Sequence, residues 1–508
     1  MGPVLALERS DARQWHLTAV LVSKQRPSDL VIDIGGAEVR STPEAIWSNG
    51  GRFAYRFRFA VPLEDAASRF DYSVDDRTFT VSLPARGHAP TMAYASCNGF
   101  SSAKVMKGVK DKNAMWSRMA AEHARSPYHL LLLGGDQVYA DTMWDTVPEL
   151  RRWARLPYDA GNAAEATSEM VSSVEEFFFD LYTDRWSQPE IATMMASVPM
   201  VAMWDDHDLM DGWGSYPEPR QRCDVFQKAV WPAARKAFRV FQQHLADGEF
   251  HASSIAADFG YSRGHIVGPL AILALDMRSE RTDRQVLSPP HWNDVFGWLD
   301  KVGDAKHLMV MSSIPVVYPG FDTLERLLGA LPGHQDLEDD LRDHWNSRPH
   351  KGERLRLIHR LLQLSQDEEV RSTILSGDVH VAALGVIESS RGQRGHGAVI
   401  NQMISSGVVH PGPGGVVLFA LRHLFDSTDE IDRGIAARMV DFPGTQDRFI
   451  GRRNYLSLEP DEDGRLDRIW ANWFVENERE PYTKVIHALR KTRDEEVVQS
   501  TTGVAPTG

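Results

Sequence analysis

The chain contains the stretch HLLLLGGDQVYAD at residues 129–141, in which four leucines lead into two glycines and Asp136. A short, fully apolar run of this kind is typical of a β-strand buried on both faces, as in a parallel sheet. Polar side chains that directly follow such a strand lie at the sheet edge where α/β proteins bind their ligands. We therefore interpret Asp136, Tyr139 and Asp141 as candidates for a functional site at that edge.

Three further apolar runs end in a similar way. TMAYAS leads into Cys97 and Asn98, MVAMW into the acidic run DDHD at 205–208, and TILSG into Asp378 and His380. Because neighbouring parallel strands place their carboxyl ends at one edge of a sheet, four such clusters indicate a single assembled site.

The wider pattern predicts an α/β protein with a β-rich N-terminal part. Six apolar runs alternate with longer helical stretches, as in a sheet core flanked by helices. These runs are TMAYASC, HLLLLGGD, PMVAMWDD, AILALDMR, LMVMSSIP and STILSGD. Residues 14–84 instead contain short alternating segments broken by turn residues, which predict a small antiparallel β-sandwich. We predict a β-sandwich domain at 1–88, a layered α/β domain at 89–490 and a flexible tail at 491–508.

Within the α/β part, several elements can be placed individually. Helices are predicted at 103–124, 174–195, 224–247 and 353–367, and a late strand pair at 453–458 and 468–475. Residues 322–350 are acidic and irregular, and we interpret them as an insertion near the site whose role the sequence leaves open.

Composition excludes several function classes. The chain has 508 residues and a formal net charge of −14, with 42% hydrophobic and 25% charged residues, which is ordinary globular usage. An acidic balance argues against a broad nucleic-acid or anionic-membrane surface, although local basic pockets are compatible with it. No run approaches the length of a membrane span, and no signal peptide or twin-arginine motif is present, so we expect a cytoplasmic protein. The two cysteines, Cys97 and Cys223, are expected to stay reduced there.

Each polar cluster also has a structural explanation. Cys97 could be a small buried side chain, Asp136 could cap a turn, and Asp378 and His380 could form a structural hydrogen bond. The acidic run at 205–208 is harder to explain, because three carboxylates around one imidazole repel one another unless a cation or solvent compensates. A two-metal centre accounts for the whole set, since it needs one bridging carboxylate and further ligands for each ion.

The donor types indicate which metals would bind. A thiolate and a phenolate together favour a Lewis-acidic transition metal such as iron. Carboxylate oxygens favour a harder ion such as Ca²⁺, Mg²⁺ or Mn²⁺. We therefore expect a dinuclear centre of Fe³⁺ plus Ca²⁺, with Mg²⁺ or Mn²⁺ as the alternatives to Ca²⁺.

Five motifs together resemble a known family. They are SCNG at 96–99, GGDQVYAD at 134–141, WDDHDLMDGWGSY at 204–216, LDMRSERTD at 275–283 and LSGDVH at 375–380. In their order and intervals they are similar to the alkaline phosphatase D (PhoD-like) family of metallophosphoesterases, over roughly residues 90–475. The resemblance implies a layered β-sheet core flanked by helices, often preceded by a small β-sandwich. It also implies a phosphoric ester hydrolase, a phosphomonoesterase, phosphodiesterase or both, that uses two metals and a metal-bound hydroxide.

The resemblance also implies roles for individual residues. Metal ligands by motif position are Cys97, Asp136, Tyr139, Asp206, Asp378 and His380, with Asp136 as the bridging carboxylate and Asp206 and Asp378 at the second metal. His207 resembles the general acid or transition-state stabiliser, and Asp208 could accept a hydrogen bond that orients it. Arg278 resembles an arginine that holds a phosphate oxygen.

Four further residues are candidate substrate contacts: Asn98, Asp211, Trp213 and His410. For Trp213 the alternative is packing in the core, and for His410 it is a structural role. The expected partner is a small phosphorylated substrate, whose identity the sequence does not reveal. The alternative function is a catalytically weak, metal-stabilised protein that binds or senses a phosphorylated ligand.

Overall fold

The structure is a computed structural model that describes residues 1–318, 345, 350–391, 399–423 and 428–489. The insertion predicted at 322–350 lies largely outside these residues, and the tail predicted at 491–508 lies wholly outside them.

The strands are numbered in chain order. They are β1 (Val4–Ser10), β2 (Gln14–Ser23), β3 (Leu30–Ile34), β4 (Ala37–Ser41), β5 (Glu44–Asn49), β6 (Arg52–Pro62), β7 (Ser68–Val74), β8 (Arg77–Leu83), β9 (Met92–Ala95), β10 (Leu130–Gly134), β11 (Met200–Met203), β12 (Arg263–Val267), β13 (Leu270–Ala274), β14 (His307–Met311), β15 (Arg371–Ser376), β16 (Ala382–Ser389), β17 (Val399–Ser405), β18 (Asp429–Asp432), β19 (Ile435–Val440), β20 (Phe449–Ile450), β21 (Asn454–Pro460), β22 (Arg468–Val475) and β23 (Tyr482–His487).

The α-helices are numbered in the same way. They are α1 (Ala103–Gly108), α2 (Ala114–Arg125), α3 (Met143–Thr146), α4 (Pro148–Trp153), α5 (Tyr158–Ala163), α6 (Ser168–Trp186), α7 (Pro189–Ser197), α8 (Glu218–Gln221), α9 (Trp231–Ala237), α10 (Pro289–Leu299), α11 (Lys351–Asp367) and α12 (Gly415–His423). Short π-helical segments, Val225–Val230 and Phe238–Gln242, adjoin α9 on either side.

The strands form two large sheets and one small sheet. The largest has the order β23-β22-β21-β9-β10-β11-β1-β2-β6-β5, and β9, β10 and β11 are parallel neighbours. The second has the order β12-β13-β14-β15-β17-β16-β19-β18, with β20 beside β16, and its strands β13, β14, β15 and β17 are parallel. The small sheet has the order β4-β3-β7-β8.

The second sheet is covered by the largest sheet on one face and by helices on the other. Leu270 and Ile272 of β13 belong to a hydrophobic cluster that includes β9, β10 and β11. Ala271 and Leu273 point the opposite way, because side chains alternate along a strand, and they join a cluster with α10 and α11. The layered α/β core that the sequence predicts is therefore confirmed.

The N-terminal strands do not form an isolated pair of sheets. The antiparallel strands predicted in residues 14–84 are present, but β2, β5 and β6 extend the largest sheet. They are joined to it through β1, where Ala6 pairs in parallel with Met200 of β11. The segment VLALERS that forms β1 lies outside the interval from which the sandwich was predicted. The division of the chain into domains at residue 88 stays a prediction.

Individual elements agree with the sequence analysis except at three of the four predicted helices. The helix predicted at 224–247 ends at Gln242, and it consists of α9 between two π-helical segments. The six predicted buried strands are β9, β10, β11, β13, β14 and β15. The helix predicted at 174–195 is two helices, because Pro189 has no backbone N–H and begins a new first turn in α7. The helix predicted at 103–124 is likewise divided, since α1 ends at Gly108 and α2 begins at Ala114.

Candidate metal centre

The carboxyl ends of parallel strands from both large sheets meet at one place. The residues just beyond these ends are Cys97 after β9, Asp136 after β10, Asp205 after β11, Arg278 after β13, Ser313 after β14 and Asp378 after β15. The two sheets are linked there directly, because the Ser313 hydroxyl donates a hydrogen bond to Asp205 Oδ1 at 2.8 Å. The site predicted from single strand ends is thus assembled across both sheets.

Asp136 lies at the centre of this site. Its Oδ2 is 3.4 Å from Cys97 Sγ, and its side chain is buried. Its Oδ1 accepts no hydrogen bond from any residue that the structure describes. Burial raises the pKa of Asp136 well above its ordinary value; His207 opposes this rise, and Asp205 and Asp206 add to it. A bound cation would remove the penalty of keeping this carboxylate charged.

The backbone at the site adopts conformations that side chains rarely tolerate. Cys97, Asp136, Asp378 and His380 have φ values of 56°, 53°, 68° and 53°. They are four of nine non-glycine residues with positive φ in the described chain. Left-handed backbone at such residues is unfavourable and concentrates at functional sites, which supports a functional role for these four.

Cys97 is enclosed by polar groups. Its Sγ lies 3.1 Å from Ser406 Oγ, and the backbone N–H of His380 donates to the same hydroxyl at 2.8 Å. Burial raises the pKa of the Cys97 thiol well above its ordinary value, and Asp136 raises it further. Both Cys97 and Cys223 are free and buried, and no disulfide joins them. A thiol held next to a buried carboxylate is an arrangement that a metal ion would stabilise.

Three aromatic side chains close one side of the site. Tyr139 Oη lies 3.2 Å from His380 Nε2, and the rings of His380 and His410 stack at 3.8 Å between centroids. Burial lowers the pKa of His410 to about 4 and that of His380 well below its ordinary value. Both imidazoles are therefore neutral at pH 7, which is the form that binds metals.

Two groups of side chains bring three ligand atoms within 4.8 Å of one another. One consists of Asp136, Asp206 and His207, and the other of Asp205, Asp206 and Asp378. Asp206 belongs to both, so the groups are adjacent. Carboxylate oxygens this close repel one another unless a cation lies between them. The donor set, with the thiol and phenol near Asp136, fits a metal centre.

His207 is held by a carboxylate other than the one expected. Its Nδ1 lies 2.7 Å from Asp141 Oδ2, and its ring stacks on Tyr139 at 4.3 Å between centroids. Burial lowers the pKa of His207, but the carboxylates of Asp141 and Asp206 raise it by more. The pKa of His207 therefore lies well above its ordinary value. The protonated imidazole is therefore favoured.

The expectation that Asp208 orients His207 is wrong. Asp208 Oδ1 accepts hydrogen bonds from the backbone N–H groups of Gln137 and Val138, at 3.0 and 3.2 Å. Its Oδ2 accepts from the backbone N–H of Asp205 at 2.9 Å. Asp208 thus ties the loop after β10 to the loop after β11. Burial raises its pKa to about 7, although these backbone amides lower it.

Comparisons with known proteins agree with this architecture. A family model described as PhoD related phosphatase matches residues 88–332 and 327–428. The chain belongs to the PhoD-related phosphatase family. The uncharacterised protein YGR266W of Saccharomyces cerevisiae is 28% identical, in an alignment that covers 91% of this chain and 79% of the yeast protein.

One solved structure shows the same fold. The structure titled "Structure of PhoD" has a TM-score of 0.57 and 14% identity, covering 96% of this chain and 91% of that one. A dimetal phosphatase from Danio rerio has a TM-score of 0.35 and 9% identity, covering 79% of this chain and 99% of that one, a likeness too weak to carry an argument.

Arg278 of this PhoD-related phosphatase is held by neighbouring residues of the site, and its contact with a phosphate oxygen stays a prediction. Its guanidinium is fully buried and donates from Nε to Asp205 Oδ1 at 2.5 Å and from Nη1 to the Trp213 carbonyl at 3.0 Å. Its Nη2 lies 3.3 Å from Asp206 Oδ1. Arg278 therefore neutralises the two carboxylates and positions them.

Replacing this arginine should destabilise the protein. Arg278→Met leaves Asp205 and Asp206 buried without their counter-charge, and we expect the free energy of unfolding to fall by about 3–5 kcal/mol. Urea unfolding in the presence of a chelator measures the difference. Arg284→Met is the control, because the Arg284 side chain is 86% exposed. Equal stability of both variants would contradict the role assigned to Arg278.

Two of the predicted substrate contacts are buried side chains with structural partners. Asn98 is fully buried, and its Oδ1 accepts hydrogen bonds from Trp116 Nε1 and Arg185 Nη2, both at 2.8 Å. Trp213 is 3% exposed and stacks on Trp231 with an interplanar angle of 5°. Both side chains support the loops of the site, and their contact with a substrate stays a prediction.

The other two predicted contacts lie beside the site, and their contact with substrate stays a prediction. Asp211 is half-buried, and its backbone N–H donates to Asp141 Oδ1 at 2.8 Å. His410 lies over His380, with its Nε2 3.2 Å from Ser101 Oγ and its Nδ1 bonded to the Pro411 carbonyl at 2.9 Å.

Sequence analysis placed Asp141 and Asp205 among the candidate residues without an individual role, and it did not identify Ser406. Asp141 lies two residues beyond Tyr139 in GGDQVYAD, so the motif contained a signal for it. Asp205 directly precedes Asp206, and only the fold shows that Arg278 and Ser313 bind it. Ser406 follows β17, a strand that the sequence analysis did not predict, and no motif marks it.

Proposed function

We propose that this PhoD-related phosphatase hydrolyses phosphate esters at a dinuclear metal centre bridged by Asp136. The first ion would be bound by Cys97, Tyr139 and His380, and the second by Asp206 and Asp378. Such a centre supplies Lewis-acid activation of the phosphoryl oxygens and a nucleophile at neutral pH. The observation that carries the proposal is the buried, unsatisfied Oδ1 of Asp136 amid further carboxylates.

His207 is the group that acts on the leaving oxygen in this proposal. Asp141 fixes its ring through Nδ1, so Nε2 is the nitrogen that can face a substrate. The raised pKa of His207 keeps a proton available on that nitrogen. A positioned acid of this kind protonates the departing alkoxide or stabilises charge on the transferring phosphoryl group.

The donor types extend the proposal to metal identity and location. The thiol and phenol of Cys97 and Tyr139 favour iron for the first ion, and the carboxylates favour Ca²⁺, Mg²⁺ or Mn²⁺ for the second. A ligand thiol must stay reduced, which fits a cytoplasmic protein. Among the residues that the structure describes, no helix combines the length and the apolar character needed to cross a bilayer.

Metal analysis combined with turnover tests the proposal. We expect the purified protein to contain two metal ions per chain and to hydrolyse p-nitrophenyl phosphate, bis-p-nitrophenyl phosphate or both. Chelation should abolish this activity, and re-addition of individual metals should restore it and identify each ion. A metal-free protein with full activity would contradict the proposal. A metal-loaded protein that hydrolyses neither ester would instead favour a role in binding a phosphorylated ligand.

A further inference from the structure

Three buried histidines lie together outside the metal centre, on the segment 244–265. They are His244, His251 and His265, and we call them the histidine cluster. The rings of His251 and His265 are 6.0 Å apart between centroids, and His244 Nδ1 lies 2.8 Å from Thr18 Oγ1 of β2. Within the described chain their ring nitrogens do not form a group of three within 4.8 Å, so the cluster is not a second metal site.

The surroundings of His251 suit only its neutral form. The backbone N–H of Ser253 donates to His251 Nδ1 at 3.1 Å, and Arg263 Nη1 lies 3.3 Å from His251 Nε2. A guanidinium only donates hydrogen bonds, so both ring nitrogens face donors. The neutral ring accepts from one of these donors, whereas the protonated ring has an N–H on each nitrogen and accepts from neither.

The other two imidazoles also lack an acceptor for a second proton. His265 Nδ1 lies 3.4 Å from Ser253 Oγ, and His244 Nδ1 contacts the Thr18 hydroxyl. The Nε2 atom of each ring is buried and has no hydrogen-bond partner among the residues that the structure describes. Protonating either ring would therefore bury a charge together with an unsatisfied N–H.

The carboxylates near the cluster are already paired with arginines. The cations are Arg56 and Arg58 of β6, Arg239 of the second π-helical segment and Arg263 of β12, and the carboxylates are Glu8, Glu44 and Glu249. The two arginines of β6 pair with all three carboxylates. Arg239 donates to the backbone carbonyls of Ala246 and Glu249, and Arg263 is buried without a carboxylate partner in the described chain. Since β2 and β11 present uncharged groups, the net charge around the cluster opposes protonation.

Arg263 connects the histidine cluster to β11. Its Nη2 donates to the Ala202 carbonyl, and Gln243 Nε2 donates to the same carbonyl at 3.2 Å. Because β1 pairs with β11 through Met200, these two side chains take the place of a neighbouring strand at Ala202. Four residues beyond Ala202 lies Asp206, which the proposed function places at the second metal.

We infer that the histidine cluster is a proton-operated switch on the metal centre. Proton uptake by the imidazoles breaks the contact between His251 and Arg263, repels the guanidinium and loosens the carboxyl end of β11. The effect on metal binding rests on the proposed function, because it acts through the position of Asp206. Acidic surroundings would thus release the second ion and stop turnover.

The direction of the pH dependence follows from the neutral state of the cluster. Burial and Arg263 lower the pKa of His265 to about 3 and that of His251 well below its ordinary value. Burial, with Arg56 and Arg263, lowers the pKa of His244 to about 3. An unfolded histidine has a pKa of about 6.5, so the unfolded chain binds more protons than the native one between about pH 6.5 and 3. The free energy of unfolding therefore falls as the pH falls through this range.

Urea unfolding of the chelated protein at pH 6 and pH 5 tests the proton uptake. H251Q/H265N keeps polar side chains at both positions but cannot take up these two protons. Between pH 6 and pH 5, the unfolding equilibrium constant of the wild type should rise about 60-fold more than that of the variant. H359Q/H487Q, which removes two exposed histidines, should follow the wild type. An identical rise in the wild type and in H251Q/H265N would overturn the inference.

Hydrogen exchange of the chelated protein at pH 5 tests whether the cluster acts on β11. We expect amides of β11 to exchange about tenfold faster in the wild type than in H251Q/H265N, the equivalent of one proton per pH unit. Amides of β15, in the second sheet, should differ less between the two proteins. An equal difference in β11 and β15 would mean that acid lowers the stability of the whole fold, and the switch would be wrong.

Metal release separates this inference from the proposed function. If the protein binds two ions, the wild type should lose the second ion at pH 5 faster than H251Q/H265N, and equal loss from both would overturn the inference. If the protein binds no metal, the proposed function fails, and exchange at β11 still decides the inference. Should the double variant not fold, H251Q replaces it, with an expected difference in the unfolding constant of about eightfold.

Discussion

Replacing Asp136 with asparagine is expected to lower the turnover of phosphate esters by at least about 10³-fold and to release metal, because the bridging position serves both ions. The neutral amide keeps the shape of the side chain but lacks the negative charge that would bind the metal ions. Steady-state kinetics and elemental analysis of the same preparations measure both effects. Asp224→Asn is the matched control, since Asp224 is a partly exposed carboxylate that pairs with Lys228.

Although Asp136→Asn should impair turnover and metal binding, it should stabilise the fold of the metal-depleted protein. Asp136 Oδ1 has no hydrogen-bond donor in the described chain, and burial, with a further contribution from Asp205 and Asp206, raises the pKa of this carboxyl. Removing the charge should therefore increase the free energy of unfolding of the chelated protein by about 1–3 kcal/mol. If Asp136→Asn retains metal and activity, the bridging role is wrong. If it destabilises the chelated protein, the carboxylate is instead a structural group.

Residues whose positions are determined by a local pattern could be predicted from the sequence. Cys97, Asp136 and Asp378 directly follow short apolar runs that form β9, β10 and β15. Because β9 and β10 are parallel neighbours in one sheet, local sequence was sufficient to bring Cys97 and Asp136 together. Asp378 follows a strand of the second sheet, and its place beside them depends on how the two sheets pack. The six buried strands of the core could be predicted because each contains a short apolar run.

Residues whose roles depend on contacts between distant loops could not be assigned. His207 pairs with Asp141, 66 positions away, although Asp208 is adjacent in sequence. Asp208 is unavailable because its Oδ1 accepts from backbone amides of the loop after β10 and its Oδ2 from the backbone amide of Asp205. Arg278 is likewise engaged by Asp205, 73 positions away. Neither the type of these side chains nor the order of the motifs predicts which partner each one contacts.

His207→Asn is expected to lower turnover by about 10²–10⁴-fold while metal content stays nearly intact. Asparagine cannot donate a proton to the leaving oxygen, so the loss should be larger for alkyl esters than for nitrophenyl esters, whose leaving group scarcely needs protonation. Parallel measurement of kcat for the two ester types and of bound metal checks both parts. Loss of metal would mean that His207 is a ligand, consistent with its position beside Asp136 and Asp206.

Asp141→Asn tests how the proton is held on His207 without removing the imidazole. Asp141 raises the pKa of His207 against the effect of burial, so its carboxylate favours the protonated form. Removing that charge lowers the pKa of His207, and the acid is then lost at lower pH. The alkaline limb of the pH–rate profile should therefore move to lower pH, most clearly for alkyl esters, while His207→Asn should lack this limb altogether. An alkaline limb that stays in place in Asp141→Asn would show that His207 is not the titrating acid, and electrostatic stabilisation would remain as its role.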